Sequence, residues 1–148
     1  MNIICEIRPN ISRLMNTIKD DTGGAQRAGM INLLTTIEAL AVKDAPKRTS
    51  NLARTRTSNV NADGTRGRLS FTAPYAGYVH EGTGLFGPRH QRIRPTAKRA
   101  LFWPGAKHPV RSTAGMKGRP WVRQAAGEVN TGAVFEEGMQ NYLKQRGY

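Results

Sequence analysis

The pattern of apolar and polar positions changes period along the chain, and each period predicts a different kind of element. From residue 30 to residue 41, apolar residues recur at spacings of three and four, which is typical of a helix with one buried face. This stripe consists of Met30, Leu33, Leu34, Ile37, Leu40 and Ala41. We expect a helix over residues 25–44, ended by Pro46, which disfavours the helical conformation at the residue before it. The N-terminal segment, residues 1–24, has a shorter helical pattern at residues 10–19.

A period of two replaces the helical period after residue 47. One set of alternating positions is apolar and the other is polar: Leu69, Phe71 and Ala73 against Arg68, Ser70 and Thr72. Residues 51–60 are rich in β-branched and polar side chains, and Asn61–Gly64 has the composition of a turn. These segments predict an antiparallel β-hairpin.

A second helical pattern follows Pro120, which suits the first turn of a helix because it needs no N–H there. It predicts a C-terminal helix over residues 119–148 with a kink at Gly132. The order of elements indicates an α+β fold in one domain of 148 residues. We expect a small antiparallel β-sheet packed against a long N-terminal helix and a C-terminal helix, with long basic loops within residues 47–118. The predicted core contains Leu34, Ile37, Leu69, Phe71, Trp121 and Val122.

Charge is concentrated in the middle of the chain. The whole sequence has 23 Lys or Arg against 10 Asp or Glu, a formal net charge of +13. Residues 47–123 carry sixteen basic and two acidic side chains, whereas both flanks are nearly neutral. Solubility alone asks for a net charge of only about 2–8. A solvated basic face is one interpretation, and a surface that faces nucleic acid or an acidic partner is the favoured one.

The densest cluster of charge lies in the basic loop, residues 82–118. It consists of Arg89, Arg92, Arg94, Lys98 and Arg99, with no carboxylate among them. These cations are expected to face either DNA phosphates or an acidic neighbouring subunit. The loop has few apolar residues for its length, so we expect it to order against neighbours rather than on itself. Phe102 and Trp103 are predicted to be core residues at a strand end, with base stacking as the alternative.

The sequence offers no catalytic constellation. Gly82–Gly87 fits G-x-G-x-x-G, but no helical stripe follows it and no acidic residue occurs between Glu81 and Glu128, so nucleotide binding is not expected. Cys5 is the only cysteine, the three histidines are not paired at metal-ligand spacing, and carboxylates are not clustered. We therefore predict a protein without enzymatic activity, cofactor or metal. No apolar run approaches the ~20 residues of a membrane span, so no membrane partner is expected.

Three segments, read in order, resemble one protein family. Ala45–Leu52 (A-P-K-R-T-S-N-L) resembles its A-P-x-x-T-G-x-L element, which follows the long helix. Tyr75–Thr83 (Y-A-G-Y-V-H-E-G-T) resembles its Y-A-x-x-V-E-x-G-T element. Gly118–Ala125 (G-R-P-W-V-R-Q-A) resembles its x-R-P-F-L-x-x-A element, which opens the last helix. The family is the tail-completion, or neck, proteins of long-tailed double-stranded DNA bacteriophages.

The resemblance implies a structural virion protein, assembled in the host cytoplasm and located at the head–tail interface. Such proteins form a homo-oligomeric, sixfold ring between the head-completion or connector protein and the tail terminator or tail tube protein. The double-stranded genome passes through the ring and is contacted without sequence specificity. The sequence departs from the family pattern at Ser50, at His80–Glu81 and at Trp121–Val122. The alternative hypothesis is a basic, non-enzymatic nucleic-acid-binding protein.

Overall fold

The computed structural model describes residues 3–7, 22–47 and 50–148, and the helical pattern predicted at residues 10–19 lies outside them. The elements are, in chain order, β1 (Ile3–Ile7), α1 (Thr22–Asp44), α2 (Asn51–Arg54), β2 (Arg56–Val60), β3 (Gly67–Phe71), α3 (Ala76–Glu81), a 3₁₀ turn (Gly84–Phe86), α4 (Trp121–Glu128) and α5 (Thr131–Gln145). The predicted α+β class is confirmed. The chain divides into a core unit, Asn2–Ala73 with Trp121–Tyr148, and a central unit, Pro74–Pro120. The single domain predicted from the sequence stays a prediction.

Helix α1 is the main support of the core unit. The predicted stripe is buried except Leu40, which is partly exposed. The helix begins at Thr22, slightly earlier than predicted, and ends at Asp44, before the residue that Pro46 restricts. Its buried face packs against β2 and β3 and against both C-terminal helices. Burial of one apolar stripe therefore joins the sheet to the C-terminal helices.

The sheet has three antiparallel strands in the order β1-β3-β2. The predicted hairpin is confirmed, with Arg56 opposite Phe71 and Val60 opposite Gly67. In β3 the predicted alternation is also confirmed, since Leu69 and Phe71 are fully buried while Arg68 is exposed. Strand β1 is the element that sequence reasoning missed. It is five residues long, and its pairing partners lie 60 to 68 residues further along the chain.

A short helix stands where only extended chain was expected. Helix α2 closes one turn through hydrogen bonds from Arg54 N–H to the Ser50 carbonyl (3.2 Å) and from Thr55 N–H to the Asn51 carbonyl (3.1 Å). The turn buries Leu52, which is 2% exposed. Two adjacent apolar residues, Leu52 and Ala53, are too few to show a helical period, which explains the wrong prediction for residues 51–54.

The C-terminal segment forms two helices instead of the single kinked helix predicted over residues 119–148. The break falls at Asn130, whose backbone is extended (φ −73°, ψ 92°) and whose side chain accepts a hydrogen bond from Ala133 N–H. An asparagine side chain that satisfies a free N–H starts a new helix, so Asn130 rather than Gly132 sets the boundary. All six predicted core residues are buried, and the Phe71 and Trp121 rings meet edge to face, 5.7 Å apart.

Candidate partner-binding surface of the central unit

The central unit exposes apolar and basic side chains together. It carries nine Lys or Arg and one carboxylate, Glu81, which gives a formal net charge of +8. Ala76 is its one buried apolar residue. The polar side chain of His80 is buried as well. Its large exposed apolar side chains are Tyr75, Tyr78, Leu85, Phe86, Ile93, Phe102, Trp103 and Met116. Large apolar side chains on a surface are typical of a binding site when they form a patch, and here cations surround them in the sequence.

Backbone hydrogen bonds hold the basic loop in place. The chain folds back on itself at three antiparallel bridges, Gly82–Lys117, Ile93–Thr113 and Leu101–Val110. Between the first two, Leu85 N–H donates to the Ala114 carbonyl at 2.8 Å. The expectation that this loop cannot fold on itself was wrong, because paired peptide groups order it without an apolar core.

Glycines permit the two arms of the loop to approach so closely. A Cβ on Gly84, whose φ is +64°, would lie 2.2 Å from the Ala114 carbonyl oxygen. A Cβ on Gly115, with φ +88°, would lie 2.2 Å from the Thr83 carbonyl oxygen. The glycines of the Gly82–Gly87 motif therefore serve the pairing of this loop. The motif itself contains a 3₁₀ turn, and no helix follows it, as a dinucleotide site would need.

The far end of the loop presents its aromatic side chains to solvent. Trp103 to Ala106 form a turn in which Ala106 N–H donates to the Trp103 carbonyl at 2.9 Å. Proline at the second position and glycine at the third, with φ +95° at Gly105, are the residues of a type II turn. Phe102 is 67% exposed and Trp103 is 44% exposed. The prediction that both belong to the core was wrong, because Trp103 opens a turn and Phe102 directly precedes it.

The five predicted cations, Arg89, Arg92, Arg94, Lys98 and Arg99, are all exposed, but the structure separates them into two sets. The three arginines Arg89, Arg92 and Arg94 line one open groove of about 560 Å³, whereas Lys98 and Arg99 do not line it. Tyr78 and Glu81 of α3 also line this groove. Sequence spacing gave the cluster but not this division, which depends on where the chain folds back.

Two contacts fix the shape of the segment that carries these arginines. His90 has a left-handed backbone (φ 49°), and its Nδ1 lies 3.1 Å from the Leu85 carbonyl oxygen, which it reaches as a donor. Arg92 Nε donates to Ser112 Oγ at 3.1 Å across the loop. The chain from His90 to Arg92 is therefore tied both to Leu85 and to Ser112.

Other reactive groups do not assemble into a site within the described residues. His80 is buried, and its Nδ1 lies 2.7 Å from Glu81 Oε1. Burial raises the pKa of the Cys5 thiol in β1, which keeps the thiol protonated. In the part of the chain that the structure describes, no three His, Cys, Asp or Glu side chains come together as metal ligands. None of the described helices has both the length and the hydropathy needed to cross a membrane.

Comparison of the chain with protein-family models, with curated proteins and with solved structures finds no match.

Proposed function

We propose that this protein is a structural subunit of a bacteriophage neck. In this proposal it is a tail-completion protein that forms a sixfold ring and joins the head-completion or connector protein to the tail terminator or tail tube protein. The genome passes through the lumen of the ring. The observation that carries the proposal is a central unit that is ordered internally yet exposes eight large apolar side chains among nine cations.

The exposed apolar side chains support a role in assembly. Aromatic residues, methionine and arginine are enriched where proteins bind one another, and lysine and glutamate are depleted there. The central unit has five exposed aromatic residues, Tyr75, Tyr78, Phe86, Phe102 and Trp103. A ring subunit meets copies of itself and two other rings, so it needs several such contacts on one small unit.

Two of the family-like segments meet at the base of the basic loop. Arg119 N–H donates to the Val79 carbonyl at 2.9 Å, and Gly82 is bridged to Lys117. A Cβ on Gly118 would lie 2.6 Å from the Glu81 carbonyl carbon, so this position needs glycine. Val79 and Arg119, which both match the family elements, thus share a structural task, which is to close the loop. This supports reading these two segments as parts of one pattern.

The cations suit a partner that must slide. A genome moving through a lumen requires attraction that is diffuse and screened by salt, because base-specific contacts would resist movement. Arginines on an open groove and exposed cations beyond it offer that kind of contact. An acidic face of the next ring would satisfy the same charges equally well.

A second candidate function is non-enzymatic binding of single-stranded nucleic acid. The exposed Phe102 and Trp103, with Lys107 close by in the sequence, favour it, since bases stack on aromatic side chains within basic grooves. In that case the purified protein is a monomer that binds oligonucleotides at moderate salt. The neck protein is instead expected to assemble, with weak binding of any one strand.

Electron microscopy and native mass spectrometry of the purified, nuclease-treated protein separate the two candidates. Rings of uniform size support the neck protein. A monomer that shifts single-stranded DNA in a gel, and no rings at any concentration, would contradict it and favour the second candidate.

Charge reversal in the assembling particle tests the role of the groove. If Arg89, Arg92 and Arg94 face DNA, changing all three to glutamate leaves particles joined but poorer at retaining their genome. If they face a neighbouring ring, heads and tails fail to join. The matched control reverses the exposed Arg27, Lys43 and Arg54 of the core unit, and we expect normal particles from it.

A further inference from the structure

One of the segments that line the groove, Gln91 to Arg94, is paired with another segment along one of its edges only. Ile93 and Thr113 exchange both of their backbone hydrogen bonds, at 2.9 Å and 3.0 Å. In an antiparallel pair of this kind, the peptide groups of the adjacent residues point to the opposite edge. Arg92 and Arg94 therefore turn their N–H groups away from Thr113, and within the described chain neither N–H has a hydrogen-bond partner.

The same four residues line an open groove that could hold a ligand. Its other lining residues include Tyr78, Glu81 and Gly82–Gly84. Two of the three residues in Gly82–Gly84 are glycines, so little side-chain volume fills the groove there. The volume of about 560 Å³ lies within the range of sites that bind small ligands and short segments.

The arginine spacing along this edge matches an extended chain. Side chains two residues apart in a strand project from the same face, about 7 Å apart. Arg92 and Arg94 have this spacing, and Ile93 between them is 37% exposed. Arg92 keeps its Nε on Ser112 Oγ and has its terminal guanidinium nitrogens left for a ligand. Carboxylates at alternate positions of an added strand would pair with these nitrogens and with Arg94, as opposite charges do across strands.

We propose that the edge at residues 91–94 binds an extended acidic segment of a partner protein, which adds to it as a β-strand. The partner contributes backbone N–H and C=O groups to the unpaired edge and acidic side chains at every second position to Arg92 and Arg94. This is recognition by strand addition, in which the main chain supplies affinity and alternate side chains supply specificity. The proposal does not depend on the ring, because it concerns the purified chain alone.

The unpaired peptide edge favours a polypeptide over nucleic acid. A sugar–phosphate strand offers acceptors for the arginines and for N–H groups, but it has no regular donors for the C=O groups of the edge. A peptide strand supplies both in the alternation that the edge presents. Glu81, which also lines the groove, repels a polyanion more than it does a segment whose acidic residues all lie on one face.

Binding of synthetic peptides to the full chain, followed by fluorescence anisotropy at physiological salt, tests the proposal. The probe is a capped peptide of alternating glutamate and threonine. Two control peptides have the same composition: one places its glutamates consecutively, and the other has N-methyl groups on the residues that face the edge. We expect the alternating peptide to bind and each control to bind roughly tenfold more weakly, since each loses several hydrogen bonds or charge pairs.

Variants of the chain connect this binding to the groove. Arg92→Gln with Arg94→Gln is expected to weaken the alternating peptide by roughly tenfold or more. The matched control is Lys98→Gln with Arg99→Gln, which removes two exposed cations of the same unit from outside the groove and leaves binding nearly unchanged. Far-ultraviolet circular dichroism and thermal unfolding confirm that both double variants fold as the parent does.

Three results would overturn the proposal. No binding of the alternating peptide excludes the site. Equal binding of the N-methylated peptide shows that the backbone edge is not used, and equal binding of single-stranded oligothymidylate shows a general polyanion surface. A ring that forms normally while peptide binding fails would reject strand addition and leave the proposed neck function intact.

Discussion

The core unit and the central unit are ordered by different interactions. Among the described residues, sixteen apolar side chains are buried in the core unit, and the central unit buries only Ala76. The central unit instead pairs its peptide groups across glycine-rich segments that approach within contact distance. A segment ordered in this way keeps its large side chains on the surface. The contrast shows how one small protein can combine a stable scaffold with a surface available to partners.

The same substitution in each unit gives the largest expected difference. Phe71→Ala removes a fully buried ring that contacts Trp121, so we expect a loss of about 3–5 kcal/mol in the free energy of unfolding. Phe102→Ala removes a ring that is 67% exposed, and we expect a change within about 0.5 kcal/mol. Urea denaturation measures both. Similar losses for the two variants would erase the contrast between the units.

Glycines in the core unit have a packing role that can be tested next. Gly29 and Gly138 meet where α1 crosses α5, and a Cβ on Gly138 would lie 2.6 Å from Asn32 Cβ. We expect Gly138→Ala to destabilise the protein by about 1–3 kcal/mol because the helices must move apart. Gly127→Ala in α4 meets nothing within 4 Å and is expected to stabilise by up to about 1 kcal/mol. A midpoint of thermal unfolding that shifts in the same direction in both variants would contradict this account.

Glycines in the central unit act on local opening. We expect Gly84→Ala to separate the arms of the basic loop, because it adds both left-handed strain and a clash with the Ala114 carbonyl. The control Gly105→Ala has left-handed strain (φ +95°) but open space around its Cβ. Limited digestion with trypsin and hydrogen exchange at the Leu85 amide report the opening. The rates of digestion and of exchange should rise several-fold in Gly84→Ala and much less in Gly105→Ala. If the two variants are digested at the same rate, backbone strain alone explains the opening and the clash with Ala114 does not contribute.

The smallest expected effect concerns the hairpin turn of the core unit. The backbone N–H and hydroxyl of Thr65 donate to Asp63 Oδ1 at 3.0 Å and 2.7 Å, and they hold the pKa of this carboxyl below its usual value of 3.8. Since the folded pKa is the lower one, the stability from ionised Asp63 is present above the unfolded pKa and is lost as pH falls through the folded pKa. The Asp63→Ala variant should therefore differ from the parent at pH 6 and converge with it in strong acid. Amide exchange in β2 and β3 measures this, and a constant difference at all pH values would refute it.

Elements with a long or regular pattern were predictable from the sequence. The apolar stripe of α1 and the alternation around Leu69 and Phe71 repeat often enough to define a period, and both elements are confirmed. Strand β1 has no such signal, because its place in the sheet depends on pairing with distant β3. The helix boundary at Asn130 depends on one side-chain hydrogen bond. The apolar stripe continues across this position in the sequence, so the pattern does not reveal the boundary.

The candidate site was predictable in composition but not in geometry. The excess of arginine identified the basic loop. The separation of Arg94 from Arg99 depends on the bridges at Ile93 and Leu101, which no local sequence pattern predicts. Tyr78 was part of a family-like segment, and only the fold places it on the groove. Phe102 and Trp103 were assigned to the core because of their size, whereas the turn that follows keeps them exposed.

Contacts at the base of the basic loop fix its two ends, so the residues between them can vary in length and sequence. The contacts of Val79 with Arg119 and of Gly82 with Lys117 bring its two ends side by side. The entropic penalty for connecting two fixed ends grows only with the logarithm of length, by about 0.6 kcal/mol for each doubling. Residues 83–116 can therefore be lengthened, shortened or exchanged by recombination at little cost to the core unit. The sequence and length of this loop can therefore diverge during evolution while the core unit is inherited unchanged.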